Sequence, residues 1–108
     1  MNKPPERAQN ILDFWFKETP PKKRFQKHKD FDLLIKEKFL KDYELASNNE
    51  YDDWQDSPLG CLALVILLDQ FSRNMFRGDK KTFEQDHKTR LIVNDAVYAG
   101  FLEKMDES

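Results

Sequence analysis

Residues 57–78 have the sequence SPLGCLALVILLDQFSRNMFRG, which predicts one long helix through the middle of the fold. Ser57 is a favourable N-cap, and Pro58 stands at the first helical position, where a missing N–H costs nothing. The helix can run to Arg77, with Gly78 as its C-terminal stop. At about 1.5 Å per residue, such a helix is roughly 30 Å long, which is the width of a small domain.

The predicted helix changes character halfway along. From Leu59 to Leu68 it is apolar on every side, which indicates that this half is enclosed. From that point on, polar side chains follow one arc of roughly 140°, taking about 100° per residue. We call this set the polar arc; its members are Asp69, Gln70, Arg73, Asn74 and Arg77. Because the arc continues the line of the buried residues upstream, it predicts a cleft mouth or a buried polar network.

Two interpretations of the polar arc remain open. As a scaffold, Asp69 and Arg73 form an i,i+4 pair worth about 0.2–0.5 kcal/mol if exposed, and the arginines complement the helix dipole. Gln70 and Asn74 would then hold a neighbouring loop in place. As a binding surface, the planar guanidinium groups suit a carboxylate or phosphate. The ligand would be a small anion or an acidic peptide.

Two helices are predicted before residue 57. The first follows Pro4-Pro5 and stops at Thr19-Pro20-Pro21, since proline removes donors and forces the preceding residue into an extended conformation. The second begins at Asp30 as N-cap and ends at Ser47-Asn48-Asn49. The basic connector 22–29 is expected to be a solvated loop, with contact to an anionic partner as the alternative. The predicted apolar stripes are Ala8, Ile11, Leu12, Trp15 and Phe16 in the first helix, and Phe31, Leu34, Ile35, Phe39, Leu45 and Ala46 in the second.

A fourth helix is predicted after residue 78. Thr82 and Gln85 have the spacing of a capping box. Its expected buried side comprises Phe83, Leu91, Val97, Tyr98, Phe101 and Leu102. Because no sustained period-two alternation or hairpin signal is present, the sequence predicts an all-α fold: an antiparallel bundle of about four helices.

Two further side chains are candidates for the same site. Trp54, flanked by Asp53 and Asp56, is expected to be a buried lid over a helix junction, with an interface anchor as the alternative. Asp86 is placed to pair with the arginines of the polar arc across a helix–helix contact. His87 lies one turn from apolar residues on the fourth helix, which is typical of a histidine at the edge of a core.

Composition narrows the function classes. The 108 residues fit one domain, and 18 Lys plus Arg against 20 Asp plus Glu argue against a general nucleic-acid binder. With 39% hydrophobic residues the chain is expected to be globular and soluble. A single cysteine, Cys61, and the absence of a signal peptide or membrane-length apolar run indicate a reducing cytoplasm.

Catalytic motifs are missing from the sequence. It contains no glycine-rich phosphate loop, no nucleophile elbow and no two-histidine metal motif, so no metal or cofactor is predicted. An enzyme, such as a hydrolase acting on a small anionic substrate with Asp69 or His87 as proton carrier, is the alternative to a binding module.

Several segments together resemble the bacterial Domain of Unknown Function 924 family. They are Ile11-Leu12-Asp13-Phe14-Trp15-Phe16, Asp53-Trp54, Pro58-Leu59-Gly60-Cys61-Leu62-Ala63-Leu64, and Leu67-Leu68-Asp69-Gln70-Phe71-Ser72-Arg73-Asn74-Met75-Phe76-Arg77-Gly78, followed by Phe83 and Asp86. The resemblance implies a tetratricopeptide-like all-α fold in soluble, mostly bacterial proteins. It implies no activity, because the family has none that is settled.

This chain departs from the family pattern in two places. Ser72 stands where relatives often have proline, which favours an unbroken helix. Relatives usually continue through further helices that carry a second motif, and no such segment follows Phe101. The resemblance therefore predicts that residues 1–108 are the N-terminal part of the usual domain. If the second motif faces the polar arc, the chain holds half a site, and a fragment that self-associates as a homodimer is a further alternative.

Overall fold

The structure is a computed structural model that describes residues 5–19, 29–98 and 100. All regular elements in these ranges are helical, which confirms the prediction of an all-α fold with about four helices. Helix α1 is Glu6–Asp13, extended by the π-helical turn Phe14–Glu18; α2 is Lys29–Ser47; α3 runs continuously through Pro58–Val65, the π-helical turn Ile66–Phe71 and Ser72–Met75; α4 is Asp86–Tyr98. Short 3-10 turns, Asp52–Asp56 and Lys80–Phe83, flank α3.

Helix α3 begins as predicted. The Ser57 side chain accepts a hydrogen bond from the Gly60 N–H over 3.0 Å, and Pro58 occupies the first turn. A Cβ atom at Gly60 would lie 2.4 Å from the carbonyl oxygen of Trp54, so only glycine allows the preceding 3-10 turn to pack this closely. The cap and the glycine together fix how the chain enters its central helix.

Helix α3 ends at Met75, two residues before the predicted end at Arg77. Phe76 leaves the helical conformation, and its ring packs edge-on against Tyr43 at 5.1 Å between centroids. Its carbonyl oxygen accepts hydrogen bonds from the Thr82 hydroxyl and from the Asp79 N–H. These bonds satisfy the carbonyl oxygen that would accept an intrahelical hydrogen bond if α3 continued. Gly78 then turns the chain with a φ of 84°.

The two π-helical turns meet in the centre of the core. The Phe71 ring belongs to the turn in α3. Its centroid lies 5.9 Å from the ring centroid of Phe14, 5.7 Å from that of Trp15 and 4.9 Å from that of Phe39. A π turn closes i→i+5 bonds, one residue more than an α turn, so it shifts the buried stripe along the sequence. Phe14 is therefore buried, and the prediction that Phe16 belongs to the stripe is wrong, since it is 49% exposed.

Helix α2 largely follows the sequence pattern. It begins at Lys29, so Asp30 lies within its first turn instead of preceding it, and it ends at Ser47 as predicted. Asn49 follows with a positive φ of 66°. Most of the predicted apolar side is buried, but Leu34 is exposed and Leu45 only half-buried. The basic connector before Lys29, with His28, lies outside the described residues.

Helix α4 departs most from prediction. Thr82 does not cap it, because the Thr82 hydroxyl donates to the Phe76 carbonyl, and α4 begins at Asp86. Its buried residues in the described part are Thr89, Ile92 and Ala96. The prediction that Phe83 and Leu91 are buried is wrong: both are exposed. The side chains of Val97 and Tyr98, and residues Phe101 and Leu102, lie outside what the structure describes.

The core is continuous from α1 to α4. Cys61 is buried within it, as a small hydrophobic residue would be. None of the described helices is both long enough and apolar enough to cross a bilayer.

Candidate functional site

The polar arc is split between the interior and the surface. Asp69 and Gln70 belong to the π turn and are half-buried, whereas Asn74 is 6% exposed. Arg73 and Arg77 are exposed. Only Asn74 therefore follows the buried line that the sequence pattern predicts for the arc, and the expectation that the arginines also turn inward is wrong.

Asp32, in the first turn of α2, holds the end of α3. Its Oδ1 accepts a hydrogen bond from Asn74 Nδ2 over 2.9 Å and one from Arg77 Nη2 over 3.1 Å. Its Oδ2 accepts from Arg77 Nε over 2.7 Å. These bonds to Asp32 raise the pKa of Arg77 above its usual value. The contact is the bidentate form of an arginine–carboxylate pair, so it fixes the guanidinium plane as well as neutralising charge.

Asp69 holds the other arginine. Arg73 Nη2 donates to Asp69 Oδ1 over 3.1 Å, which is the i,i+4 pair expected from the sequence. Gln70 Nε2 donates to Asp69 Oδ2 over 2.6 Å. Each arginine of the arc is thus oriented by one carboxylate of the same chain.

A surface depression of about 750 Å³ lies beside these arginines. We call it the α3-end depression; it is lined by Arg73, Arg77, Gly78, Asp79, Lys80, Thr82 and Phe83. One wall is the last turn of α3 and the other is the 3-10 turn that follows. Three cationic side chains and one carboxylate therefore share this surface with one aromatic ring.

Hydrogen bonds fix the 3-10 turn against α3. Thr82 is buried and its hydroxyl donates to the Phe76 carbonyl. The Ser72 Oγ lies 2.7 Å from the Leu68 carbonyl oxygen, 2.9 Å from that of Asp69 and 3.3 Å from that of Thr82, so its single proton is within reach of both α3 and the 3-10 turn. Asp79 accepts from the Lys81 N–H over 3.0 Å. Both walls of the depression are consequently preorganised.

Both arginines that line the depression keep unused hydrogen-bond donors. A guanidinium has about five N–H donors. Among the described residues, Arg73 uses one donor with Asp69 and Arg77 uses two with Asp32. The remaining donors of both side chains can bind an oxyanion without breaking these pairs.

The other candidate residues lie elsewhere or make other contacts. Trp54 is buried and stacks on Tyr51 at 4.1 Å between ring centroids, which fits the lid interpretation. It does not line the α3-end depression. Asp86 is half-buried at the start of α4 and forms no ion pair with either arginine within the described part of the chain, so the predicted pairing is wrong. His87 is exposed.

Sequence reasoning missed a second carboxylate cluster. Asp42 is 4% exposed and accepts from Arg7 Nε over 3.1 Å, from Arg7 Nη2 over 2.5 Å and from the Tyr51 hydroxyl over 2.6 Å. This contact raises the pKa of Arg7, while burial and the bond to Asp42 raise the pKa of Tyr51. One signal was present: Asp42 lies between Phe39 and Ala46 on the buried stripe of α2, where a charged residue requires a partner.

The roles of Asp32, Lys80 and Phe83 at the depression were also missed. The sequence pattern places Phe83 on the buried side of the fourth helix. It gives no sign that Asp32 pairs with Arg77, since the two are 45 residues apart in the chain. Within the described ranges, no three His, Cys, Asp or Glu side chains are grouped so that they could hold a metal ion.

Two of three comparisons with known proteins find a match. A family model described as "Bacterial protein of unknown function (DUF924)" matches residues 11–108. A solved structure, titled "Structure of Protein of Unknown Function ATU0120 from Agrobacterium tumefaciens", is 36% identical with a TM-score of 0.84. The match covers 88% of this chain and 53% of that one, so the chain spans about half the length of this solved protein. The search of curated proteins finds no match.

Proposed function

The chain belongs to the bacterial DUF924 family of proteins of unknown function, and on that premise we propose that it is a binding domain for an acidic ligand. The ligand is a small anion or an acidic peptide, and its carboxylate or phosphate contacts Arg73 and Arg77 in the α3-end depression. One observation carries the proposal. Two arginines, each oriented by a carboxylate of the same chain, line a single depression together with Lys80.

The geometry favours binding because the guanidinium groups are already positioned. Arg77 is fixed by its bidentate contact with Asp32, so little side-chain entropy remains to be lost on ligand binding. A hydrogen bond to a charged group contributes about 1.5–3 kcal/mol, and two such bonds support a dissociation constant no tighter than on the order of 10⁻³ M.

The nearby carboxylates set a limit on this affinity. Asp32 and Asp69 offset the charges of the two arginines, and Asp79 lies on the wall of the depression itself. Lys80 supplies a further positive charge. Binding is therefore expected to be weak, to depend on hydrogen-bond geometry more than on net charge, and to decrease as salt is added.

The test is a calorimetric titration with three probes: inorganic phosphate, citrate and an acetylated, amidated triglutamate peptide. Arg73→Met removes one guanidinium from the depression, and Arg90→Met, at an exposed position on α4, is the matched control. We expect the wild type and Arg90→Met to bind at least one probe equally, and Arg73→Met to bind it about tenfold more weakly. Failure of the wild type to bind any of the three would show that the proposal is wrong.

A purely structural role of the polar arc predicts a different pattern. In that case Arg73→Met lowers the melting temperature and no probe binds to any variant. Because the Arg73–Asp69 pair is exposed on the arginine side, our proposal expects its loss to cost only about 0.2–0.5 kcal/mol. Thermal unfolding of the same samples therefore separates the two roles.

A further inference from the structure

Phe83 lines the α3-end depression, but the binding of an anion alone would not involve its ring. Its side chain is 61% exposed, although aromatic rings contribute more to stability when buried. Its neighbour Thr82 is buried and hydrogen-bonded to the Phe76 carbonyl, so the backbone that carries the ring is fixed. The ring is therefore held at the surface, in the lining of the same depression as the arginines.

The depression is open at Gly78. Gly78 lies in the lining with φ 84°, and a Cβ atom at this position would meet no other atom within 4 Å. The depression thus combines positive hydrogen-bond donors and an exposed apolar ring in one lining, to which Gly78 adds no side chain. A bare anion would satisfy the donors and leave the ring in water.

We infer that the ligand is a peptide in which an acidic residue is adjacent to an apolar or aromatic one. The carboxylate contacts Arg73 and Arg77, and the neighbouring side chain covers Phe83. Charge complementarity places the acidic residue, and the hydrophobic effect places the apolar one. This inference rests on the proposed function and adds the chemical class of the ligand.

The experiment compares three capped dipeptides by calorimetry or NMR titration. Acetyl-Glu-Phe-amide carries both groups, acetyl-Glu-Gly-amide only the acid, and acetyl-Gln-Phe-amide only the ring. Each is tested on the wild type, on Phe83→Ala, and on Leu91→Ala as a control. Leu91 is also a large exposed apolar residue, but it does not line the depression.

On the wild type and on Leu91→Ala we expect acetyl-Glu-Phe-amide to bind about tenfold more tightly than acetyl-Glu-Gly-amide. On Phe83→Ala the two should bind equally, and acetyl-Gln-Phe-amide should bind weakest to the wild type. Equal binding of the two glutamate peptides to the wild type would overturn the inference but leave the proposed function intact. A preference that persists in Phe83→Ala would also overturn it. If neither glutamate peptide binds, and phosphate, citrate and triglutamate fail too, the proposed function itself is wrong.

Discussion

Two aspartates on α2 each form a bidentate pair with an arginine, and the two pairs have different roles. Asp42 accepts two hydrogen bonds from Arg7 of α1 and one from Tyr51, and its side chain is 6% exposed. Asp32 accepts two from Arg77 after α3 and one from Asn74, and its side chain is 14% exposed. Each carboxylate has three donors, and each arginine binds through Nε and Nη2.

The difference lies in what surrounds the arginine. The Arg7 guanidinium lies over the Phe39 ring at 5.8 Å from its centroid. The cluster of Arg7, Asp42 and Tyr51 links α1 to α2 and to the residue that precedes the first 3-10 turn. Arg7 also lines a smaller depression of about 290 Å³, but Asp13 and Glu18 share that lining and repel an anion. Arg77 lines the α3-end depression beside two further cations, Arg73 and Lys80. An arginine–aspartate pair is thus compatible with either a closed structural cluster or a binding surface, and the residues beside it distinguish the two.

Removing Asp42 should have the largest effect on stability. Asp42→Ala removes a buried carboxylate that accepts three hydrogen bonds, and it leaves the half-buried Tyr51 hydroxyl and the exposed Arg7 guanidinium without their common acceptor, which should cost about 2–3 kcal/mol in the free energy of unfolding. Urea denaturation followed by circular dichroism measures this. A loss below that of Asp32→Ala would contradict the assignment of Asp42 as the structural carboxylate.

Removing Asp32 should cost less. Asp32→Ala leaves Asn74 buried without its acceptor, but the freed Arg77 guanidinium is exposed and can be hydrated. We expect a loss of about 1–2 kcal/mol, measured by urea denaturation in the same buffer. If the two alanine variants lose equal stability, the contrast between a closed and an open cluster fails.

The Tyr51 hydroxyl should give the closed cluster a characteristic pH dependence. Tyr51→Phe removes one donor to Asp42 and should cost about 1 kcal/mol at pH 8. Burial and the bond to Asp42 raise the pKa of Tyr51 above its ordinary value of 10.0, so the folded state keeps a proton that the unfolded chain loses. The contribution of the Tyr51 hydroxyl to the free energy of unfolding is therefore complete below pH 10 and is lost as the pH rises further.

Unfolding free energies measured from pH 8 to 11 check this sign. The wild type should be more stable than Tyr51→Phe at pH 8, and this difference in the free energy of unfolding should become smaller above pH 10. Burial also raises the pKa of Cys61 to about 11, but both proteins contain this thiol and its effect cancels in the difference. A gap that widens with pH would contradict the account.

Removing Arg73 should have the smallest effect on stability and a clear effect on binding. The Arg73–Asp69 contact is a half-exposed pair within one helix, so Arg73→Met should change the free energy of unfolding by less than about 0.5 kcal/mol. Arg7→Met, in the closed cluster, should do the reverse: lower stability and leave the affinity for acetyl-Glu-Phe-amide unchanged. Matched urea and calorimetric titrations of both variants test this reciprocity.

Much of the fold was predictable because its signals are local. Ser57, Pro58 and Gly78 act on the residues next to them, so the beginning of α3 and the turn after it follow from the sequence. The errors arise where tertiary contacts override a local pattern. Thr82 has the spacing of an N-cap but bonds to the Phe76 carbonyl, and Phe16 turns outward because a π-helical turn interrupts the period of 3.6.

The candidate site was predictable in part for the same reason. The polar arc was visible because its members lie on one helix, whereas the partner of Arg77 comes from 45 residues earlier in the chain. Asp42 and Arg7 are 35 residues apart, so their pairing leaves no local pattern beyond a charge on a buried stripe. The sequence predicts Phe83 as a core residue because hydrophobicity alone does not distinguish a buried phenylalanine ring from one that is held at the surface.

The most direct test follows the side-chain Nε–H signals of the arginines by NMR while acetyl-Glu-Phe-amide is added. The account predicts that the Arg73 and Arg77 signals shift with a common dissociation constant, and that the Arg7 signal, in the closed cluster, does not move. Signals of Arg73 and Arg77 that stay unchanged at millimolar peptide, or shift no more than that of Arg7, would contradict it.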